Sequence, residues 1–365
     1  MRSWVRNSAL VVALVAPVLA CGIGSIGSQA PVPPVDWKAF NADGGFAGQS
    51  AAPAHLALAD LEINALTKYV EAMLTRPSEK NAPLAPQLAP LYAPDATLTI
   101  PGVYASVTGR DAIAKAYDDL WGPIFPRSAF SASRVFQNSG VLAFTWDLRG
   151  GLNEKDGARA FLGVGPMKEP TPVGFAGLTI LWFNPDGTIR QDHTYFDVQT
   201  VFDQLKDPSN LTQASLNDYE KLVAKMTPLE TVNAGLPGHL AEAINTKNEA
   251  EFLSFFADNV VHEGVYGVAE GIAAEKENFE RITKAFPDFT QKSESFATGD
   301  YVVAELTNTG TQLGALRDIP ATKKQATWHT ASLMLVKDGK IAHEWVFSNR
   351  LELRGQLDLE QTETR

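Results

Sequence analysis

Two stretches, DGTIRQDHTYFDVQTVFDQL (residues 186–205) and DGKIAHEWVFSNRLELRGQL (residues 338–357), decide how this chain is read. Each opens on Asp-Gly and closes on Gln-Leu at one shared spacing: Asp186-Gly187 to Gln204-Leu205, and Asp338-Gly339 to Gln356-Leu357. Asp-Gly between apolar runs signals a hairpin, because a two-residue turn needs positive φ. Working backwards, the two halves agree again and in the same order. Tyr92-Ala93-Pro94-Asp95 resembles Phe256-Ala257-Asp258, and Gly102-Val103-Tyr104 resembles Gly264-Val265-Tyr266. Gly109 then matches Gly271, and Phe125-Pro126 matches Phe286-Pro287. A single match is weak; an ordered series indicates a duplication. The period is far longer than a solenoid repeat, so the duplicated unit is a domain.

The first copy is placed at residues 53–206 and the second at 228–358. Each begins with a long amphipathic helix, carrying Leu56, Leu58, Leu61, Leu66 and Val70 in the first copy, and Leu240, Ala243, Ile244 and Phe252 in the second. A short strand pair follows around the Gly-Val-Tyr turn, then a second helix over Ala112–Leu120 or Ala273–Ala285. Three longer strands close each copy: Val141–Leu148, Gly174–Phe183 and Thr188–Asp197, then Tyr301–Thr307, Ala326–Val336 and Lys340–Asn349. Helices grouped ahead of antiparallel strands predict an α+β fold, with a curved, mainly antiparallel sheet wrapped around helices. Between the copies, residues 207–227 read as a linker. Asp207-Pro208-Ser209-Asn210 breaks the chain, and Leu216, Tyr219, Leu222 and Val223 have helical spacing. Residues 359–365 are a tail.

The remaining N-terminal residues read as an address. Arg2 and Arg6 precede an uncharged apolar run, Ala9–Leu19, too short to span a bilayer. The run ends in small residues before Cys21, the sole cysteine of 365 residues. This is the pattern of a lipoprotein signal peptide over residues 1–20, with a lipid on Cys21. The alternative is an incidental Cys in a cleaved peptide. Gly22 after the Cys suits the outer membrane of a bacterium, with the domains facing the periplasm or the cell surface. Residues 21–52, rich in Gly, Ser, Pro and Ala, read as a flexible tether. A lone Cys rules out an intrachain disulfide and a zinc-thiolate cluster. A formal charge of -11 without any basic stripe argues against a nucleic-acid partner. No Walker-type loop or dinucleotide glycine fingerprint lies in a strand-to-helix setting, so no cofactor is expected.

The stretch Thr309-Gly310-Thr311, Gly314, Ile319-Pro320, Thr322, Lys324, Asp338-Gly339-Lys340-Ile341 and Gln356-Leu357 resembles the SnoaL-like polyketide cyclase family. The first copy resembles it through Tyr92, Pro94-Asp95-Ala96, Gly109-Arg110, Ile113, Asp186-Gly187, Tyr195-Phe196-Asp197 and Gln204-Leu205. The resemblance implies the nuclear transport factor two-like fold, a cone with an apolar pocket that takes a small apolar molecule. It also implies an acid/base Asp near the end of the last strand, which by the Gln-Leu spacing is Asp197. In the second copy Asn349 stands there, and Asn exchanges no proton at neutral pH.

Strand alternation puts His193, Tyr195 and Asp197 on one face, and Ile189 on that face suggests the concave side. Two readings stand. Asp197, assisted by His193 and beside Tyr195, is the catalytic acid/base in a cone that Trp146, Phe144 and Phe175 help to line. Otherwise Asp197 caps the following turn, His193 is a satisfied polar residue, and the aromatics are core. Asp192 is read as solvated. In the second copy His343, Trp345 and Asn349 share one face with Phe347, and His329 lies on the neighbouring strand; all are candidate pocket lining. His262 and Glu263 lie on the early strand, and Glu275-Lys276-Glu277 reads as a solvated helix face; no histidine pair has metal-ligand spacing, so no metal is expected. The functions in view are cyclisation, isomerisation or hydration of a small apolar carbonyl compound, or non-catalytic lipophilic-ligand binding or surface assembly. Two copies in one chain would pair their sheets internally, giving a monomer that is a pseudo-dimer.

Overall fold

The computed structural model describes residues 52–75, 83–121, 129–152, 171–207, 220–225, 227–317 and 319–357. The signal peptide, Cys21 and almost all of the tether lie outside the described residues, as does residue segment 153–170.

The first copy opens with helix α1 (Ala52–Thr75), then a short helix α2 (Ala85–Leu88) with a 3-10 turn behind it, and strands β1 (Tyr92–Ile100) and β2 (Tyr104–Thr108). Helix α3 (Arg110–Trp121) starts after Gly109, whose φ of 97° and N–H bond to the Ala96 carbonyl turn the chain back over β1. Its Ile113, Ala114, Tyr117, Leu120 and Trp121 are buried at helical spacing, so one stripe faces the sheet. Strands β3 (Ala129–Asn138), β4 (Val141–Leu152), β5 (Thr171–Phe183) and β6 (Ile189–Phe196) follow, then helix α4 (Val198–Lys206). Strand β3 was not anticipated; it pairs antiparallel with β4.

Residues Glu220–Val223 form strand β7, not the helix predicted from Leu216, Tyr219, Leu222 and Val223. They pair in parallel with Arg134–Gln137 of β3, and Ala224 N–H continues the ladder to the Gln137 carbonyl. An open sheet edge offered partners that outweighed local spacing. Residues 208–219, including Leu216 and Tyr219, are outside the described set. The first sheet thus has the order β2-β1-β6-β5-β4-β3-β7.

The second copy repeats the plan with helices α5 (Pro228–Asn245) and α6 (Glu249–Ser254), strands β8 (Phe256–Gly264) and β9 (Gly267–Glu270), and helix α7 (Ile272–Ala285). Then come β10 (Thr290–Thr298), β11 (Tyr301–Thr311), β12 (Gln325–Lys337), β13 (Lys340–Ser348) and helix α8 (Arg350–Gln356). The sheet order is β10-β11-β12-β13-β8-β9. The α+β class holds for both. Asp338 and Gly339 make the predicted two-residue hairpin, with φ of 53° and 75°. In the first copy the turn is longer, and Asp186 Oδ1 closes it by accepting from Thr188 N–H (2.9 Å). A further repeated device escaped the sequence reading. A buried glutamate on each opening helix accepts a turn N–H: Gly140 to Glu62 (2.6 Å) and Gly299 to Glu230 (2.7 Å).

Each sheet has two covered faces. One packs on its own helices, forming two separate apolar cores. The other faces meet each other: Phe136, Val141, Ala143, Leu178, Ile180 and Tyr195 of the first copy pack with Phe296, Val303, Ala331, Leu333, Trp345 and Phe347 of the second. The copies are therefore joined sheet to sheet.

Candidate functional site

Which face of the last strand looks into the cone is set by a bulge. The ladder between β5 and β6 shifts between Trp182 and Phe183, so Phe183 opposes Ile189 while Trp182 opposes Gln191. One extra residue reverses the alternation. Ile189 lies in the core against the helices, but so do Asp192, Thr194 and Phe196, while His193 and Tyr195 point to the other copy. The same shift recurs in the second copy between Leu335 and Val336. It turns Glu344 inward and places Trp345 and Phe347 at the sheet–sheet junction.

The residues singled out from the sequence are accordingly redistributed. His193 Nδ1 lies 2.8 Å from Glu305 Oε1 of the second copy, and Tyr195 donates its hydroxyl to the same oxygen at 2.5 Å. His329 is held by Glu352 (2.7 Å). His343 stacks on Trp345 at 3.7 Å between centroids and bonds Glu263 (2.8 Å). None of these lines the helix-covered interior.

Asp197 is the N-cap of α4, accepting from Thr200 N–H (3.1 Å), and it also accepts from Arg350 N–H (2.9 Å) and Arg350 Nε (2.8 Å). Asn349 is its counterpart, capping α8 through Leu351 N–H (3.2 Å) and accepting from Val198 N–H (3.4 Å). The acid/base placement of Asp197 inside a pocket is not met; the capping alternative is what the geometry supplies.

Trp146, Phe144 and Phe175 do face the first cone, but as packing. Trp121, Phe130, Trp146, Phe175 and Phe196 form a cluster with ring centroids 5.4–6.2 Å apart. Phe144 meets Tyr69 edge-on at 5.7 Å. Asp192, read as solvated, is fully buried and accepts from Tyr92 (2.6 Å), Tyr117 (2.8 Å) and Thr194 (3.0 Å). Burial raises its pKa, and the three hydroxyls only partly offset that. It is a sealed polar knot.

The second copy keeps an opening at the corresponding place. Glu344 sits in β13 where Asp192 sits in β6. Opposite Asp192 across the parallel pairing stands Leu98; opposite Glu344 stands His262. Four residues past Gly109 stands Ile113; four past Gly271 stands Glu275. His262 Nδ1 lies 3.1 Å from Glu275 Oε1 and 3.4 Å from Glu344 Oε2, and Ser332 Oγ donates to Glu344. Burial alone would lower the His262 pKa; hydrogen bonds and charge from the two carboxylates override it and push it up to about 10. The same imidazolium holds Glu344 below its ordinary value against the effect of burial.

His262 and Glu275 line a cavity of about 110 Å³, and Glu344 braces His262 from behind without lining it. Since about 10–15 Å³ of such space admits one water, it takes several waters or a small organic molecule. Tyr266, Asn278, Arg281 and Arg317 line the cavity beside Val268, Ala269 and Ala274, so the lining is more polar than expected. Gly264 also borders it, and a Cβ there would make an ordinary contact with His262 Nε2 at 3.6 Å. His262, Glu275 and Glu344 offer donor atoms within 4.8 Å of one another, a set that suits a divalent cation by type. A proton on Nδ1 satisfies the same contacts. The sequence reading noted His262 but missed Glu275, taken with Lys276 and Glu277 as a solvated helix face, and Glu344. The available signal was that each aligns with a first-copy residue of the interior.

Residues 236–357 match the family model of the SnoaL-like polyketide cyclases, and residues 70–191 match that of the SnoaL-like domain. The chain therefore carries two SnoaL-like domains in tandem. Among solved structures it is similar to TsrD from Streptomyces laurentii, at 22% identity over 37% of this chain and 99% of that one, with a TM-score of 0.34. It is also similar to an M. tuberculosis epoxide hydrolase of LEH-like type (16% identity, 36% and 92% covered, TM-score 0.31). A third is a ketosteroid isomerase-like fold protein from Catenulispora acidiphila in complex with trimethylamine (16%, 36% and 97%, TM-score 0.31). No curated protein matches the chain.

Proposed function

We propose that the second domain performs acid/base chemistry on a small carbonyl compound, with His262 as proton donor and Glu275 as proton acceptor. The observation that carries this is an imidazole braced by two buried carboxylates at the floor of an open polar cavity. At neutral pH His262 is an imidazolium, and its Nε2–H is the donor left to meet a ligand. A carbonyl oxygen placed there is polarised. As the α C–H bond breaks, its proton passes to the Glu275 carboxylate and the enolate oxygen takes the Nε2–H hydrogen bond. Returning the proton to another carbon is isomerisation; attack of the enolate carbon on a second carbonyl closes a ring.

The test is deuterium incorporation next to the carbonyl of short ketones in D₂O. Such a general acid contributes about 10²–10⁴-fold, so His262→Gln reduces exchange by that order. Equal exchange by variant and wild type sinks the reading.

In this reading the first domain, with Asp192 sealed by hydroxyls, is a non-catalytic partner that completes the pair. The internally paired sheets make the chain a monomer, which light scattering checks. The sequence around Cys21 supports lipidation and an outer-membrane site; Cys21→Ser then releases the chain from the membrane fraction.

A further inference from the structure

The cavity wall also carries two guanidinium groups whose purpose the acid/base chemistry leaves open. Arg281 extends from α7, beyond Glu275 and Asn278 on the same helix. Arg317 comes from the segment after β11 and lies over the Tyr266 ring, 4.1 Å from its centroid. Arg281 donates to a neutral partner, Asn278 Oδ1, at 2.7 Å. Among the described residues neither arginine has a carboxylate within ion-pair distance. Glu277 and Glu275 are the acids whose charge reaches Arg281; Glu277 lies outside the cavity lining, and Glu275 is engaged with His262. The two cations are close enough that burial and then Arg317 hold the Arg281 pKa below its ordinary value. Two like charges converging on one cavity are relieved when an anion lies between them, and planar guanidinium forks fit the two oxygens of a carboxylate.

We propose that Arg281 and Arg317 are a carboxylate clamp, and that the ligand of this cavity is a short oxo-carboxylic acid rather than a neutral apolar ketone. The inference rests on the cavity reading above. It names the substrate class: the carboxylate goes to the arginines, the carbonyl to His262. The cavity of about 110 Å³ limits the ligand to a handful of non-hydrogen atoms. Tyr266, half-exposed and stacked under Arg317, fixes that guanidinium at the rim.

The test uses the full chain and three probes: levulinate, its uncharged methyl ester, and inorganic phosphate, titrated calorimetrically. Levulinate is expected to bind at least tenfold more tightly than the ester, and more weakly as salt rises. Arg281→Gln and Arg317→Gln are each expected to weaken it at least tenfold while circular dichroism stays unchanged. Arg317 is exposed, so its variant reports even where Arg281→Gln disturbs α7. Equal binding of levulinate and ester, no binding of levulinate, or no effect of either variant overturns the clamp. Phosphate binding as tightly as levulinate overturns the carboxylate assignment in favour of a tetrahedral anion. The outcomes separate from those of the preceding section. Levulinate that binds without deuterium exchange removes the catalysis and keeps the clamp; exchange indifferent to both arginines removes the clamp and keeps the catalysis.

Discussion

Replacing Glu344 by Gln should release His262 from its high titration point, and the size of the change follows from the site. In the folded protein His262 titrates at about 10, against an ordinary value of 6.5. At about 1.36 kcal/mol per unit, that gap is on the order of 5 kcal/mol of preference for the protonated ring. Two carboxylates share it, Glu275 at 3.1 Å and Glu344 at 3.4 Å. Glu344→Gln keeps the shape and an acceptor for Ser332 but removes one charge. The two carboxylates also offset burial, which by itself lowers the ring, so with roughly equal shares the titration falls by at least about 2 units, or about 3 kcal/mol. Because the folded pKa is raised, the stabilisation is fully present below pH 6.5 and disappears as pH climbs through about 10. Wild type should therefore lose stability between pH 7 and 10, and the variant should lose at most about half as much. A histidine ring NMR titration and urea unfolding at both ends of that range measure the two quantities. A wild-type His262 midpoint near 6.5, or identical midpoints in both proteins, would refute the reasoning.

Two further perturbations probe the framework. Asp197→Ala removes the more buried of Arg350's two carboxylate partners, 5% exposed, and leaves Asp203 at 3.0 Å; losing the charged hydrogen bonds costs about 1.5–3 kcal/mol. Denaturant unfolding should register that loss; a change below about 1 kcal/mol would mean that water replaces the carboxylate. Gly177→Ala puts a Cβ 2.2 Å from Trp146 Cζ2, and overpacking of this kind costs about 1–3 kcal/mol. Forcing that ring aside also threatens its Nε1–H bond to Thr179 (3.0 Å), so an unchanged Tm would contradict the packing described.

The duplication and the α+β class were legible because they rest on local signals: Asp-Gly hairpins, glycines ahead of helices, and helical stripes. Strand β7 was not, because Leu222 and Val223 gained edge partners far back in the first copy, Phe136 and Gln137. The site was misplaced for a single reason. Alternation from Ile189 predicts that His193 and Tyr195 face inward, and it fails at a bulge that leaves no mark in the sequence. Once the bulge is known, the same rule finds Asp192 and Glu344. His262 was visible; its partner Glu275 comes from the next helix, 13 residues on, and Glu344 from a distant strand, so no regular strand or helix spacing links the three.

The meeting of Asp197 and Asn349 bears on why fusing two copies matters. Each residue starts its own helix and also receives the first N–H of the opposite helix. A true homodimer would be compelled by its twofold axis to place the same residue on both sides. Aspartate twice would set anion against anion, and asparagine twice would leave Arg350 only the more exposed Asp203 as counterion. Covalent linkage lifts that compulsion: one side keeps the charge and the other surrenders it, an asymmetry available only to subunits that no longer have to be identical.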